Sequence, residues 1–537
     1  MAKRAPAAQG PQAARRLGSP AGRGEGTAAG WEAAYLYLCV FLSGASILVL
    51  EIAAGRVLAP HFGNTLFTWT SMIGIILAAL SLGYSVGGRL ADRSPSSRTF
   101  YLIMLLGAAL VALVPVLRAA LLPALERGLS LRSGPIAGGV LLFAAPSFVL
   151  AALTPYAVKL RAGDERLIGT VTGDLFTWST VGSIAGTFAT GFFFIPAFGL
   201  NSIFLATSVA LALAGAGGLW LVRGSAAAAE RKATRAVSLL AAVCIAAGAA
   251  WAGRPPGRSA ETVHFRENMY HTLRIQKWAD QGRQVLELFL DSQPEAAMVV
   301  GDDRALHFRY SRFLALGSAA LPGMRSAFFL GGGGFTMPKA LHLMRPGAEI
   351  MVAELDPDVV AAGRRFFHLD RYPEIRVQAG DGRRALRGSG RRWDFIVGDA
   401  YRGLRNIPPH LVTREFFGEV RGSLAPGGAF LMNLIAHRAG PGGVLYAAVY
   451  RTLASVFPGV WVFSTDPGLP EAAQNILFFA FRDREEGRFR AVLEKLEADP
   501  RLAFIAGSRV AAPPPGAYGP ILTDDYNPVE YLVARGF

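Results

Sequence analysis

Charged residues are distributed unevenly along this chain, and their distribution limits its fold more than any other feature. Between residues 33 and 252 charges are scarce, whereas beyond residue 258 they return to the density of a soluble protein. Over the whole chain of 537 residues, 52% are hydrophobic and 17% are charged. The length exceeds that of one ordinary domain. We therefore predict a membrane domain followed by a soluble domain.

Seven apolar segments predict membrane-spanning helices, each of which needs roughly 20 mostly apolar residues. They are residues 33–58, 67–88, 99–122, 135–157, 168–195, 200–222 and 236–252. The last is short and rich in alanine, so an interfacial helix is the alternative there. Together they define a multi-pass α-helical domain over residues 31–253. Residues 1–30 lack an apolar core and predict a disordered basic tail, not a cleaved signal peptide.

Lysine and arginine cluster in the tail and in the loops after the second, fourth and sixth segments. All of these lie on one side of the predicted membrane, which indicates a cytoplasmic N-terminus. This pattern also explains the net charge of +15, so we expect no nucleic-acid partner. Seven spans would place the soluble domain outside the cytoplasm, and six would place it inside. The sequence leaves both topologies open.

Three ionisable residues fall deep inside predicted spans: Glu51, Arg56 and Asp174. A charge at the bilayer centre costs on the order of 2.5 kcal/mol unless it is paired or hydrated. These residues therefore predict either a functional polar path or structural pairs within the bundle. Glu51 and Arg56 are five residues apart and are candidates for a local pair. Both cysteines lie in apolar segments, so we expect no disulfide and no metal site.

Short alternating runs such as TLRIQKW and QVLELFLD begin the soluble half. Alternation of apolar and polar residues is typical of antiparallel strands with one buried face. We predict a small β-region over residues 258–320.

The most informative motif is an apolar strand, residues 327–330, that runs directly into four glycines. They are Gly331, Gly332, Gly333 and Gly334, and a helical segment follows them. A strand, a glycine turn and a helix in this order bring backbone close to a bound nucleoside. A tight turn between strand and helix also needs glycine, so the motif alone is weak.

Acidic residues end the next three predicted strands and strengthen the nucleoside interpretation. Glu354 follows the glycines at the spacing suited to ribose hydroxyls. Asp381, followed by Gly382, ends the third strand and suits the amine of adenine, and Asp399 ends the fourth. Ligands of open α/β sheets bind at the carboxyl ends of the strands. We therefore predict a Rossmann-like α/β domain over residues 321–537 that binds a nucleoside.

The segment from Phe328 to Ile435 resembles the polyamine aminopropyltransferases, the spermidine synthase family, which are related to class I methyltransferases. The preceding run LFLDSQPEAAMVVGDDRALHFRYSRF resembles that family's β-region, with Asp291, Gln293, Asp303 and Tyr310 in its expected places. The phrases SGASILVLEIAAGRVLAPHFG, GYSVGGRLADR, GDLFTWSTVGSIAGTF and LTDDYNPVE resemble bacterial fused membrane spermidine synthase-like proteins.

The resemblance implies an enzyme of the bacterial inner membrane that uses decarboxylated S-adenosylmethionine or S-adenosylmethionine as cosubstrate, without a metal. Glu354 would hold the ribose, Asp381 the adenine, and Asp399 would orient and deprotonate an attacking amine. The expected substrate-binding residues are Gln293, Tyr310, Arg312, Tyr401 and Arg402. The expected partners are a small amine or acidic substrate, the lipid bilayer and, as an option, a second copy of the chain.

Three departures from the family pattern leave the substrate open. Soluble members carry aspartate where this chain has Gly334, a second aspartate where it has Arg402, and glutamate where it has Arg312. The two arginines suit a substrate with a carboxylate or phosphate. The alternatives are therefore a methyltransferase, and a transporter-like protein whose nucleoside domain senses but does not catalyse. In LTDDYNPVE, Asp524, Asp525 and Glu530 either close over the site or form a structural turn.

Overall fold

A computed structural model describes residues 25–93, 95–162, 167–222, 228–252, 261–401, 407–514 and 519–536. Most of the predicted tail and Arg402 lie outside the described residues.

Seven long helices occupy the N-terminal half of the described chain, each long and apolar enough to cross a membrane. They are Trp31–Phe62, Leu66–Arg93, Ser97–Gly128, Ser133–Arg161, Ile168–Ala197, Leu200–Leu221 and Arg231–Trp251. The predicted multi-pass helical architecture is thus confirmed at the level of helices. We number these helices one to seven in chain order.

The seventh helix belongs to the bundle and does not lie apart from it. Its residues Ala241 and Cys244 share an apolar cluster with Leu105 and Ala109 of the third helix. One turn further on, Gly248 lies so close to the third helix that a Cβ would collide with a carbonyl group there. Residue numbers rise together along this contact, so the third and seventh helices run parallel and end at the same face of the bundle.

Glycines set the close spacing between other helices of the bundle. Gly182 and Gly186, four residues apart on the fifth helix, pack against backbone carbonyl groups of the first helix. Gly83 and Gly87 of the second helix pack in the same way against the fourth helix. A side chain at any of the four positions would collide with these carbonyls, so small residues are required for the packing. The small-residue spacing thus serves a compact bundle.

A four-stranded antiparallel sheet follows the bundle, in the order β1-β2-β3-β4. Its strands are β1 Thr262–Glu267, β2 Thr272–Asp280, β3 Arg283–Leu290 and β4 Gln293–Val299. The inward side chains of Leu273, Ile275 and Leu288 are fully buried and belong to the same apolar core as the following α/β domain. The predicted β-region is therefore a lobe packed on that domain.

The α/β domain is built on an eight-stranded sheet in the order β12-β10-β11-β9-β8-β5-β6-β7. Strands β5 to β9 are parallel to their neighbours within that group, and β10, β11 and β12 are antiparallel additions at one edge. The strands are β5 Ser326–Leu330, β6 Glu349–Glu354, β7 Ile375–Ala379, β8 Trp393–Gly398, β9 Leu424–Ala436, β10 Val460–Ser464, β11 Gln474–Phe481 and β12 Arg509–Val510. The predicted Rossmann-like fold class is confirmed.

Helices cover both faces of this sheet, which is why its central strands are apolar on both sides. Along β5, Phe329 belongs to one core, and its neighbours Phe328 and Leu330 belong to the other. The helices of the domain are Leu314–Ala320, Thr336–Met344, Pro357–Phe366, Gly382–Gly388, Arg414–Ser423, Gly443–Ala454, Glu486–Glu497, Ala503–Gly507 and Val529–Gly536.

One face of the bundle docks directly on the α/β half of the chain. Ser292 donates its hydroxyl to the carbonyl of Pro60 at 2.6 Å, after which the first helix ends. Glu267 accepts the amide of Leu200 at 2.9 Å and lies 3.6 Å from the guanidinium of Arg118. These contacts involve the ends of the first and third helices and the start of the sixth. The α/β half therefore lies at the face opposite to the start of the first helix.

Candidate functional site

A cavity of about 220 Å³ opens at the carboxyl ends of β5, β6, β7 and β8. It also receives residues from the small β-lobe and from the segment that follows β8. The lining residues are His271, Leu290, Glu295, Ala296, Tyr310, Gly331, Gly332, Gly333, Thr336, Met337, Ala353, Glu354, Leu355, Asp381, Gly382, Asp399, Ala400, Tyr401, Pro408, His410 and Leu411. The structure thus brings three of the four glycines predicted in the turn, Gly331, Gly332 and Gly333, into one site with the strand-end carboxylates.

The glycine turn after β5 has a backbone that only glycine adopts easily. Gly331 has a φ of +96° and Gly333 a φ of +49°. A Cβ on Gly331 would also collide with the carbonyl of Asp399, so the absence of a side chain lets the turn approach the end of β8. Gly334 does not line the cavity. It packs instead against Ala296 of β4, where a Cβ would lie 2.9 Å from the alanine Cβ.

Glu354 is held against the glycine turn by backbone hydrogen bonds. Its Oε2 accepts the amide of Gly332 at 2.8 Å, and its Oε1 accepts the amide of Asp356 at 3.0 Å. Burial raises the pKa of Glu354 even though these amides lower it. A fixed carboxylate beside a glycine turn is suited to bind two vicinal hydroxyls.

Asp381 begins the helix Gly382–Gly388 and lies at the rim of the cavity. Its Oδ1 accepts the amide of Arg384 at 2.9 Å, and its Oδ2 is 2.8 Å from Nε2 of His410. Burial raises the pKa of this carboxyl, but the Arg384 amide and His410 outweigh burial and lower it. Asp381 is therefore an anionic acceptor at neutral pH. His410 lies beyond the motifs that the sequence highlighted and was missed.

Asp399 lies directly after β8 and is held by two side-chain donors. Asn433 donates to its Oδ1 at 2.9 Å, and Tyr310 donates to its Oδ2 at 3.2 Å. Asn475 donates to the amide oxygen of Asn433 at 3.0 Å, which fixes the amide in this orientation. Burial raises the pKa of Asp399, opposed by the two donors. A buried carboxylate with a fixed orientation is suited to position and deprotonate an amine.

Tyr401 lines the cavity two residues after Asp399. Its hydroxyl donates to the carbonyl of Asn433 at 3.1 Å and accepts the amide of Ile435 at 2.7 Å. The tyrosine therefore joins the segment after β8 to β9 and stabilises the wall beside the catalytic candidate.

Glu295 is a fourth cavity carboxylate that the sequence motifs did not identify. It lies on β4, and burial, followed by the negative charges of Asp399, Asp291 and Glu354, raises its pKa to about 8. Clustered carboxylates favour a cation in the space between them. The only sequence signal was an acidic residue in an otherwise apolar strand.

His271 forms part of the cavity wall and is paired behind it. Its Nδ1 lies 3.4 Å from Oδ2 of Asp291, and both side chains are almost fully buried. Asp291 also accepts the amide of Thr272 at 2.9 Å, which joins the ends of two hairpins of the β-lobe. Asp291 is therefore a support of the site, and His271 is the residue in contact with the cavity.

Two predicted substrate residues do not reach the cavity in the structure. Gln293 lies at the start of β4, and Glu295, two residues further on, occupies the lining position instead. Arg312 is exposed and donates to the carbonyl of Leu306 at 2.9 Å. Among the described lining residues none is lysine or arginine, so the expectation that arginines select an acidic substrate loses its support from Arg312.

Asp303 is likewise placed outside the cavity, in a buried polar cluster. It lies 3.1 Å from the fully buried ammonium of Lys339 and accepts the hydroxyl of Tyr372 at 2.8 Å. His368 approaches the same carboxylate at 3.1 Å. This cluster neutralises a buried lysine and has a structural role.

The segment LTDDYNPVE also lies outside the cavity. Asp524 forms an ion pair with the buried Arg383 at 2.7 Å and accepts the hydroxyl of Thr413. Glu530 accepts the amide of Leu66, at the start of the second helix, at 2.7 Å. The segment thus joins the α/β domain to the bundle. Of the two interpretations, closure over the site and a structural turn, the contacts favour the structural turn.

The three ionisable residues that the sequence singled out in the bundle lie in different surroundings. Arg56 reaches out of the bundle and donates to the carbonyls of Tyr270 and Asn268. Glu51 is half-buried and Asp174 is exposed on the bundle surface. The expected local pairing of Glu51 with Arg56 is replaced by a contact between Arg56 and the β-lobe.

Fold and site together define a Rossmann-like α/β domain with an acidic cavity at the carboxyl ends of its parallel strands. Within the described residues no group of three histidines, cysteines or acidic residues is placed to bind a metal ion.

A known protein similar to this chain is the polyamine aminopropyltransferase of Vibrio vulnificus, 32% identical over 134 residues, which cover 24% of this chain and 44% of that protein.

A second relative is the probable polyamine aminopropyl transferase of Bifidobacterium longum, 27% identical over 283 residues, with 50% of this chain and 61% of the relative covered. The chain therefore spans about half the length of the curated relatives it matches. A probable spermidine synthase from Corynebacterium glutamicum aligns in structure with a TM-score of 0.37 at 22% identity, over 47% of this chain and 95% of that protein. No protein-family model matches the chain.

Proposed function

We propose that this protein is a spermidine synthase-like transferase that moves an aminopropyl-type group from a sulfonium nucleoside to an amine. The observation that supports it most is the set of four carboxylates, Glu295, Glu354, Asp381 and Asp399, around one cavity that contains the glycine turn. The similarity to polyamine aminopropyltransferases agrees with it.

In this proposal Glu354 binds the ribose hydroxyls and Asp381 the amine of adenine. The glycine turn provides room for the nucleoside, and Asp399 holds the attacking amine. The nitrogen lone pair forms the new N–C bond while the C–S bond of the sulfonium breaks, and its electrons remain on sulfur as a neutral thioether. The proton leaves the amine for Asp399. Orientation of the two substrates and a fixed base supply the acceleration.

The charge of the cavity favours decarboxylated S-adenosylmethionine over S-adenosylmethionine as donor. The decarboxylated donor carries a sulfonium and an ammonium, which the carboxylates attract. S-adenosylmethionine adds a carboxylate, which Asp399 would repel at short range. The same argument favours a cationic polyamine-like acceptor over an acidic one.

Product analysis of the purified full chain tests this proposal. The protein is incubated with each donor and a set of di- and polyamines, and the nucleoside product is identified by mass spectrometry. We expect methylthioadenosine from the decarboxylated donor, and its loss in Asp399→Asn. Adenosylhomocysteine would instead indicate a methyltransferase. Nucleoside binding without any product would contradict the enzyme and favour the sensing alternative.

We also propose that the bundle is embedded in the bacterial inner membrane. Large apolar side chains are exposed on its outer surface, as on Leu77, Leu82, Phe192, Leu213 and Leu239. Large apolar side chains exposed in this way on several helices are typical of contact with lipid. Retention in the membrane pellet after alkaline carbonate washing would support the proposal, and release into the supernatant would contradict it.

The orientation that we propose places the α/β domain outside the cytoplasm. Basic residues such as Arg93, Arg161 and Arg231 lie at the helix ends away from that domain, which are the ends expected in the cytoplasm. In a variant without Cys39 and Cys244, cysteine replaces either Ser97 or Lys277. An impermeant maleimide should label Lys277→Cys in intact spheroplasts and Ser97→Cys only after permeabilisation. The reverse pattern would overturn this orientation.

A further inference from the structure

The bundle contacts the β-lobe close to the nucleoside cavity. Near the end of the first helix, Arg56 donates through Nη1 to the carbonyl of Tyr270 at 2.7 Å and through Nη2 to the carbonyl of Asn268 at 2.8 Å. These carbonyls belong to the hairpin loop 268–271 between β1 and β2. A planar guanidinium that holds two carbonyls of one loop restrains the position and the orientation of that loop.

The loop itself is closed around the side chain of Asn268. Its Oδ1 accepts the amides of Tyr270 and His271, both at 2.8 Å. His271, which follows Tyr270 at the end of the loop, lines the cavity. The position of the cavity wall therefore depends on the same asparagine whose carbonyl Arg56 binds.

Asn268 also connects the loop to the ribose-binding candidate. Its Nδ2 donates to both carboxylate oxygens of the buried Asp356, at 2.9 and 2.8 Å. The amide of Asp356 in turn donates to Oε1 of Glu354 at 3.0 Å, and Oε2 of Glu354 accepts the amide of Gly332. A continuous series of hydrogen bonds thus runs from Arg56 in the first helix to the glycine turn.

We propose that Arg56 is a positioning residue of the nucleoside site, so that the bundle forms part of the binding machinery of the α/β domain. The charge of Arg56, placed in a predicted membrane helix, is used to fix the 268–271 loop and, through Asn268 and Asp356, the carboxylate of Glu354. The nature of the ligand in this inference rests on the proposed function, whereas the positioning of the loop does not.

The test uses the full chain in lipid nanodiscs and two readouts. The first is hydrogen–deuterium exchange without ligand. In Arg56→Met we expect the amides of Tyr270 and His271 to exchange about tenfold faster, because the loop loses its anchor. Arg56→Lys, which keeps the charge and one donor, should restore part of the protection. Arg89→Met, a matched change at the opposite face of the bundle, should leave the loop unchanged.

The second readout is the affinity for methylthioadenosine. We expect Arg56→Met and Asn268→Ala each to weaken binding about tenfold, and the double variant to lose little more, because both act through one network. If the wild type is active, the KM for the donor should rise in both single variants, with little change in kcat. Unchanged loop exchange and unchanged affinity in Arg56→Met would overturn the inference. If Arg56→Met alters the exchange of the loop but the wild type binds no nucleoside, the result would contradict only the proposed function.

Discussion

Tyr310 and Asp399, 89 residues apart in sequence, are joined by a hydrogen bond of 3.2 Å from the tyrosine hydroxyl to Oδ2 of the aspartate. The tyrosine comes from the segment after the β-lobe, and the aspartate from the end of β8. The bond thus connects two parts of the chain that both line the cavity. The carboxylate of Asp399 is thus oriented by one donor on each oxygen, because Asn433 donates to Oδ1.

Replacing Tyr310 with phenylalanine tests the role of this bond. Burial raises the pKa of Asp399, and the donors Asn433 and Tyr310 oppose that effect, so losing one donor should raise it further. We expect the acidic limb of the pH–rate profile to move to higher pH and kcat to fall roughly tenfold, which corresponds to one hydrogen bond to a charged group. Tyr526→Phe, at an exposed tyrosine, is the control. An unshifted acidic limb would exclude Asp399 as the base.

Glu295→Gln should change how stability depends on pH. Burial and the neighbouring carboxylates raise the pKa of Glu295 from 4.5 to about 8. Between these values the folded protein holds more protons than the unfolded chain, so its stability falls as the pH rises. We expect the thermal midpoint of the ligand-free wild type to decrease over this interval and that of the glutamine variant to decrease less. Glu494→Gln, at an exposed helix position, should behave as wild type, and parallel curves for all three proteins would refute the assignment.

Arg383→Met should destabilise the α/β domain more than the loss of an exposed arginine does. Arg383 is buried and joins Glu419 at 2.6 Å and Asp524 at 2.7 Å. Its removal leaves Asp524 without this cation and Glu419 with the exposed Arg387, which costs about 3 kcal/mol and lowers the thermal midpoint by roughly 6–12 °C. Differential scanning fluorimetry gives the comparison with Arg387→Met, whose exposed arginine also contacts Glu419. Equal effects of the two variants would contradict the structural role of Arg383.

Gly334→Asp should not convert the site into one with stronger amine binding, although the resemblance to the soluble aminopropyltransferases implies aspartate there. A Cβ at this position would lie 2.9 Å from the Cβ of Ala296 and 3.1 Å from the ring of Phe367. The new side chain would push β4 away, and with it Glu295. We expect a lower thermal midpoint and weaker binding of the donor, measured by calorimetry. Gly323→Asp, at a glycine with open space around it, is the control. Tighter donor binding in Gly334→Asp would show that the packing can adapt.

Much of the fold could be read from local patterns. The apolar segments predicted all seven helices because hydropathy is set by each segment alone, and small shifts of the helix ends do not alter it. The apolar strand 327–330 with its glycines, and the acidic residues that follow, predicted the carboxyl-end site because a parallel sheet gathers successive strand ends at one edge.

The β-lobe shows where this reasoning fails. Glu295 lies at an irregularity of β4, because the pairing with β3 shifts register there: Leu288 pairs with Ala296 and Phe289 pairs with Pro294. Such an extra residue breaks the alternation of side chains along the strand, so a simple alternating pattern does not tell which of Gln293 and Glu295 faces the α/β domain. Only the packing of the lobe on the α/β domain decides that Glu295 and not Gln293 reaches the cavity.

The sequence by itself determined the order of a helical apolar half and an α/β half, the glycine turn, and the three carboxylates at strand ends. Each of these follows from residues that are neighbours in the chain. Only the tertiary structure decided that Glu295, His271 and His410 complete the cavity, that Arg312 lies outside it, and that Arg56 donates to two carbonyls of the β-lobe. These features depend on contacts between segments far apart in sequence, and the packing of whole domains fixes such contacts.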